Sequence, residues 1–433
     1  MPEQYRALQG FRDILPDEQP YWRFIESTAT KVAEGYGYRR VETPILEDTG
    51  VFRKTSGETS DIVEREMYTF NDRPDKEGRS NSLTVRPEGT AGVVRAYLEH
   101  GLFTLPQPVK LYHVREVMLR HDRPQAGRYR AHYQFGCEAL GEEDPAIDAE
   151  IVALLYQLYS ELGLRGLRVH LNSIGDAKCR PQYIKALQDY YRPLLDQSCR
   201  DCQARFEKNP LRLLDCKNPQ DQPKIAAAPR SVDYLCEECR EHFDAVRRFL
   251  AIYGVPFELN PLLVRGLDYY TRTVFEFTSD VGNQALNGGG RYDGLAEVLG
   301  GQHTPGIGFG MGYERIILEM KRQGIEAPPE EQPRAFVVYL GRAPELKDAA
   351  VQVAAQLRHA GIKTEMSYGD RSPKAQMKQA NNSGAAYAVL LGESELAGGF
   401  VTVRDLQAAG VETEKKQVEV PQDTLTTYLK PVP

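Results

Sequence analysis

In PGIGFGMGYER, residues 305–315, Gly306, Gly308, Gly310 and Gly312 fall at every second position. Side chains of a strand alternate between its two faces, so an extended chain here carries all four glycines on one face. A face without side chains lets a flat ligand come close to the backbone. The alternative is a glycine-rich strand packed tightly under a helix. A dinucleotide-binding turn requires G-x-G-x-x-G. None of the three possible starts meets it, because the third glycine position holds Met311, Tyr313 or Arg315.

Arg315 follows directly, and LVRGLDYYTRTVFEF (residues 263–277) also sets an arginine, Arg265, beside a glycine. A third stretch, SLTVRPEGT (82–90) followed by VREVMLRHDRPQAGRYRAHYQFGCEALG (114–141), adds Arg115, Arg120, Arg123, Arg128 and Arg130 in a strand-loop-strand pattern. The local acids Glu116 and Asp122 are too few to pair with all five. A fixed guanidinium fork suits phosphate oxygens, and an excess of forks suits a triphosphate; a solvated basic hairpin is the plainer reading.

The chain has 433 residues, enough for two or three domains, and a formal charge of −7, which argues against a dedicated nucleic-acid wrapper. Charge is spread unevenly: residues 334–433 hold 12 Lys plus Arg against 11 Asp plus Glu, the remainder 42 against 50. That distribution permits an RNA partner without requiring one. The first twenty residues lack a basic segment followed by an apolar one, and no apolar run approaches the ~20 residues of a membrane helix. Seven cysteines without an export signal suit a reducing compartment. A cytoplasmic protein without membrane partners is expected.

The clearest boundary is GIEAPPEEQP (324–333), where helical periodicity gives way to prolines and glutamates. Beyond it, AFVVYLG, ELKDAAVQVAAQLRHAG, KTEMSYG, SPKAQMKQANNSG and AYAVLLG alternate strand with helix, an α/β unit of about a hundred residues. Before it, residues 21–37 have amphipathic helical spacing. Strand-like pieces then run through Phe135, residues 146–163 return to helix, and 176–254 read as helical and polar before strands resume at 256–264. The predicted organisation is an antiparallel α+β core in two parts (1–172 and 256–325), a mostly helical insertion (173–255), a linker (326–333) and a C-terminal α/β domain (334–433).

Motif by motif the chain resembles the bacterial histidyl-tRNA synthetases, which are class II aminoacyl-tRNA synthetases. GYRRVETPILEDTGVF (37–52) resembles motif 1 with its proline at Pro44, residues 117–138 resemble motif 2, and GFGMGYER (308–315) resembles motif 3. The tighter, histidine-specific signatures are RGLDYYTRTVFEF (265–277), GGGRYDGL (288–295) and TVRPEGTAG (84–92). The resemblance implies a class II antiparallel sheet flanked by helices, an anticodon-binding tail and a homodimer built on motif 1. It also implies the partners L-histidine, ATP with Mg2+, and tRNA(His).

Residue roles carried by the resemblance are as follows. Arg120 and Arg265 bracket the α-phosphate and are the catalytic pair, and Arg128 and Arg315 hold the γ-phosphate. Glu88, Thr90 and Gln134 accept the α-ammonium. Glu138 and Tyr270 partner the imidazole, with Tyr269 beside them. Two rivals are a histidine-sensing regulatory relative without catalysis, which would lack the tail and the arginines, and a tRNA-binding or stress-sensing module, which would not need the arginines together.

Cys199-x-x-Cys202 and Cys236-x-x-Cys239 stand apart from the resemblance. Two such pairs can supply four thiolates to one structural zinc; reduced thiols and redox chemistry are the alternatives. Cys137, Cys179 and Cys216 read as small buried apolar residues.

Overall fold

The computed structural model describes residues 5–57, 62–282, 284–369, 371–407 and 417–430, in two compact units divided at Pro328/Pro329. The strands of the first are β1 (Arg39–Arg40), β2 (Leu46–Asp48), β3 (Tyr68–Asn71), β4 (Ser82–Val85), β5 (Val109–Leu119), β6 (Ala131–Leu140), β7 (Leu167–Ser173), β8 (Glu258–Leu259), β9 (Thr271–Ser279), β10 (Asn287–Arg291) and β11 (Gly306–Gly312). Eight form one sheet in the order β1-β5-β6-β11-β10-β9-β7-β8, and β2-β4-β3 form a small one. From β5 to β7 every pairing in the large sheet is antiparallel. The short edge strands β1 and β8 join in parallel, which the sequence pattern did not separate from their neighbours.

The two faces of this sheet differ in chemistry, and the difference is written in period two. Phe135, Cys137, Ala139, Phe275, Phe277, Ile307, Phe309 and Met311 point one way into the main core. Helices Gln19–Gly35, Pro145–Glu161 and Tyr313–Arg322 close that side. Helix Gln19–Gly35 buries Trp22, Ile25, Ala29, Val32 and Ala33, the apolar stripe of a 3.6-residue period, and Trp22 stacks on Tyr313 with centroids 5.3 Å apart. Helix Pro145–Glu161 opens on Asp144, whose carboxylate accepts from the Ala146 N–H at 2.8 Å, with Pro145 in the first turn. It is apolar nearly all round because it lies between the sheet and helix Glu237–Ile252.

Arg291, at the end of β10, is wholly buried against the equally buried Asp148 of that helix. It also donates to Asp293 at 3.0 Å and to the Glu142 carbonyl at 2.9 Å. Breaking a buried pair leaves an uncompensated charge, so Arg291→Ala is expected to cost about 3–5 kcal/mol, measured by urea unfolding. A loss below about 1 kcal/mol would show that the pair does not clamp helix to sheet.

Between β7 and β8 the chain leaves the sheet as helices Arg180–Tyr191, Arg200–Lys208, Gln222–Ala226 and Glu237–Ile252 with short 3-10 turns. Tyr183, Leu187, Tyr191, Cys202, Phe206, Leu213, Leu214 and Cys216 form a core there together with Leu263, Val264, Tyr270 and Val274. This segment therefore packs under the loop that carries Arg265.

The second unit is a five-stranded mixed sheet of β12 (Ala335–Tyr339), β13 (Thr364–Met366), β14 (Tyr387–Leu391), β15 (Phe400–Asp405) and β16 (Gln417–Pro421), in the order β13-β12-β14-β15-β16. Helix Pro373–Asn382 begins as its sequence predicts: Ser372 caps it, accepting from Ala375 N–H at 3.3 Å. Among the described residues no helix is long and apolar enough to cross a membrane.

Candidate active site

The second face of the large sheet carries polar side chains over glycine. Antiparallel register sets Glu138 opposite Gly308 and Gln134 opposite Gly312, and Gly308 opposite Gly290 on β10. The glycines make room for side chains more than for a ligand. A Cβ on Gly308 would fall 1.6 Å from the Glu138 carboxylate, and one on Gly288 would fall 1.5 Å from the Arg265 guanidinium. Gly290 likewise underlies the Tyr270 ring, and Gly306 the Tyr292 ring. Of the four glycines on β11, only Gly312 has open space above it. The bare ligand-facing strand expected from the sequence is thus covered over most of its length.

Glu138 is buried at 1 % exposure. The Thr90 hydroxyl donates to it at 2.6 Å, and the Tyr292 hydroxyl donates to its other oxygen. Burial pushes its carboxyl up to about 8; the Thr90 and Tyr292 hydrogen bonds oppose the shift and the nearby Glu88 charge adds to it. Tyr269, Tyr270 and Tyr292 wall this carboxyl, with ring centroids 4.6 Å apart for the first two and 5.8 Å for Tyr269 and Tyr292. Glu88 caps helix Thr90–Glu99, accepting from the N–H groups of Thr90 at 2.7 Å and Ala91 at 2.9 Å. Burial raises its pKa, and those two donors and Arg120 pull the other way.

Four arginines adjoin this pocket. Burial lowers the pKa of Arg315, and the positive charges of Arg128, Arg265 and Arg120 lower it further while Glu276 opposes them. Arg265 donates to Glu276 at 2.6 Å, and its Nε is buried without a partner among the described residues. Arg120 is held by the Pro87 carbonyl at 2.7 Å, so the turn that carries Glu88 also aims this arginine. Arg315 donates to the Ala285 carbonyl at 2.5 Å, and Arg128, partly exposed at the rim, pairs with Asp122. Burial and the charges of Arg120, Arg315 and Arg128 push His132 down to about 3, so its ring is neutral. A cluster of like charges of this kind raises the local positive potential.

A histidyl-tRNA synthetase model matches residues 10–316 and an anticodon-binding-domain model matches residues 334–431. The histidine–tRNA ligase of Dehalococcoides mccartyi (strain ATCC BAA-2266 / KCTC 15142 / 195) is 48% identical over 428 residues, covering 98% of this chain and 99% of that protein. The chain belongs to the histidyl-tRNA synthetase family. The histidine–tRNA ligase of Pelotomaculum thermopropionicum is 49% identical over 424 residues, 98% of this chain and 96% of its own length. The crystal structure of the apo S. aureus histidyl-tRNA synthetase aligns with a TM-score of 0.81 at 37% identity, covering 99% of this chain and 100% of that one.

Within this class II synthetase fold, Glu88, Thr90, Glu138, Tyr269 and Tyr270 converge, Gln134 shares their sheet face, and Arg120, Arg128, Arg265 and Arg315 cluster beside them. Arg115 departs from the group. A bulge between His113 and Glu116 of β5 gives Arg115 a φ of 54° and turns its side chain toward helix Gln19–Gly35, where it meets Glu26 at 3.3 Å and Gln19 at 3.1 Å. Tyr292, which donates to Glu138, stands in this cluster and was passed over by sequence reasoning, although it lies in the GGGRYDGL signature. Glu276, the partner of Arg265, lies inside the RGLDYYTRTVFEF signature but was given no role, and Glu66, the partner of Arg120, carried no motif signal.

The cysteine expectation is corrected. Cys199 and Cys202 do not share a centre with Cys236 and Cys239, because each pair sits at the N-terminus of a different helix. Each closes instead on a third cysteine and an aspartate: Cys216 and Asp221 for the first pair, Cys179 and Asp176 for the second. Cys216 and Cys179 are buried, yet they are members of thiol clusters and not isolated apolar fillers. Cys137 is a core residue.

Proposed function

We propose that this chain activates L-histidine with ATP, giving histidyl-adenylate and pyrophosphate, and then transfers histidine to the terminal ribose of tRNA(His). The observation that carries the reading is the buried Glu138 carboxyl, walled by tyrosines and set beside four arginines. An imidazole has two ring nitrogens to satisfy, and Glu138 and the Tyr270 hydroxyl are the partners. Glu88, Thr90 and Gln134 receive the α-ammonium. That orientation delivers the histidine carboxylate to the arginines.

The carboxylate oxygen attacks the α-phosphorus, the bond to the bridging oxygen breaks, and pyrophosphate leaves with the electron pair. Negative charge gathers on the α-phosphate as this happens, and preorganised cations there lower the barrier. Arg120 and Arg265 take that role, and Arg128 and Arg315 hold the γ-phosphate. The pairing of Arg128 with Asp122 must open for it. Mg2+, brought in with ATP, would supply further positive charge to the triphosphate. The cluster's own carboxylates, Glu66 and Glu276, already face arginines, so the ion fits as a companion of ATP and not as the occupant of a protein cage.

A homodimer built on residues 37–52 is supported by the exposed Ile45 and Leu46 there, with Phe70 exposed on the same small sheet. None of the seven cysteines is in a disulfide, which suits the cytoplasm.

ATP/pyrophosphate exchange with each of the twenty amino acids tests the reading. Exchange is expected with histidine alone. Exchange with none, while histidine still binds, would move the chain to a histidine-sensing regulatory role.

A further inference from the structure

We propose that the segment between β7 and β8 holds two zinc ions, one bound by Asp176, Cys179, Cys236 and Cys239 and the other by Cys199, Cys202, Cys216 and Asp221. In each group the four ligand atoms lie within 4.8 Å of one another. Zinc binds thiolate at about 2.3 Å, so a tetrahedral site sets neighbouring sulfurs about 3.8 Å apart, with sulfur-to-carboxylate edges slightly shorter. The Sγ atoms of Cys199 and Cys216 are 3.6 Å apart, and those of Cys179 and Cys239 are 3.9 Å apart. Cys216 Sγ lies 3.6 Å from Asp221 Oδ2, and Cys179 Sγ lies 3.7 Å from Asp176 Oδ1. Each group thus shows two edges that match a tetrahedron around its own zinc.

The two groups repeat one local design. Cys199 and Cys236 are both N-cap residues, with φ/ψ of −65°/159° and −65°/167°, and the second cysteine of each pair falls in the first turn of the helix. Backbone N–H groups face the sulfurs: Asn218 N donates to Cys216 Sγ at 3.4 Å, and Asp176 N donates to Cys179 Sγ at 3.4 Å. Each aspartate is oriented from behind, Asp221 by Lys224 at 2.7 Å and by the Cys199 N–H at 3.1 Å, and Asp176 by Arg272 at 3.4 Å. Outer contacts of this kind fix the ligands of a metal site. A disulfide reading leaves a third thiol in each group without a use. Three thiolates select a soft cation, and a closed four-ligand set is a structural site.

Both sites brace the loop that carries Arg265, Tyr269 and Tyr270, a consequence that rests on the proposed function. Cys202 and Cys216 share a core with Leu263, Val264 and Tyr270. On the other side, Arg180 donates to the carbonyls of Gly175 at 2.8 Å and Tyr270 at 2.7 Å, tying the turn before Asp176 to the loop. Removing metal is therefore expected to raise KM for histidine in the exchange assay. The metal count does not depend on that assay.

The test is elemental analysis of the full chain purified without chelator from zinc-supplemented cells. Two zinc ions per chain are expected, with Cys202→Ser and Cys239→Ser each losing one and Cys137→Ser losing none. Should a variant fail to fold, stepwise titration of the native protein with an organomercurial, reading released zinc with a chromophoric chelator, replaces it and should release two equivalents. One zinc or fewer per chain, or two retained in both variants, overturns the proposal.

Discussion

Arg265→Ala is expected to slow histidine-dependent pyrophosphate exchange by about 10²–10³-fold, the usual cost of removing one preorganised donor to a transition-state anion. Histidine affinity should fall far less, because the amino acid's ring and ammonium are received by other residues. Two features of the site make the loss large. Arg265 is held by Glu276 at 2.6 Å and lies across Gly288, so little reorganisation is needed when charge develops. Its removal also leaves the Glu276 carboxylate facing the incoming triphosphate, turning an attraction into a repulsion. Arg265→Lys keeps a charge and loses the fork, and should fall between the two. Gly288→Ala should share the defect, since its Cβ would occupy the position of the guanidinium. The measurement is exchange at saturating histidine beside calorimetric histidine binding. Equal losses in both would place Arg265 in substrate binding and remove it from the chemistry.

Much of this arrangement was legible in the sequence because it is periodic. Glycine at every second residue marked one face of β11, and the α/β alternation after residue 334 pointed to the second unit. What escaped depends on backbone detail or on partners distant in the chain. The bulge that sends Arg115 out of the site adds one residue to a strand whose pattern otherwise continues. The Arg291–Asp148 pair joins residues 143 positions apart, and nothing local marks either as buried. The glycines of β11 were read as a floor for ligand because spacing gives the face, whereas only the register with β6 reveals that Glu138 lies upon it. The cysteines misled for a related reason. Spacing within each pair was visible, but the third thiol and the aspartate arrive from 14 or more residues away in one group and from before the pair in the other.

Glu138→Gln is expected to lower kcat/KM for histidine by roughly 10²–10³-fold, and to erode the preference for histidine over apolar amino acids, which a site of buried polar partners sets at about 10⁴ or more. The amide keeps the size that fits over Gly308, but its one oxygen can accept from only one of the Thr90 and Tyr292 hydroxyls, which donate to different oxygens of the carboxyl, and it cannot carry the charge that a protonated ring calls for. The same variant exposes the proton on Glu138. Burial raises this carboxyl from its ordinary 4.5 to about 8 in the folded chain. A raised folded pKa means the native state binds the proton more tightly than the unfolded chain, so this stabilisation is full below about pH 4.5 and is lost as pH rises through about 8. Wild type should therefore lose melting temperature relative to Glu138→Gln between pH 5 and pH 8.5, by an amount corresponding to a few kcal/mol at most. Scanning calorimetry of both proteins across that range reads the difference directly. A constant difference would show that Glu138 is already ionised at pH 5 without ligand, and that the loss of histidine activity in the variant comes from hydrogen-bond geometry and not from charge. A falling difference would mean that the empty pocket stores a proton, and that histidine arriving with a neutral ring finds it there to share.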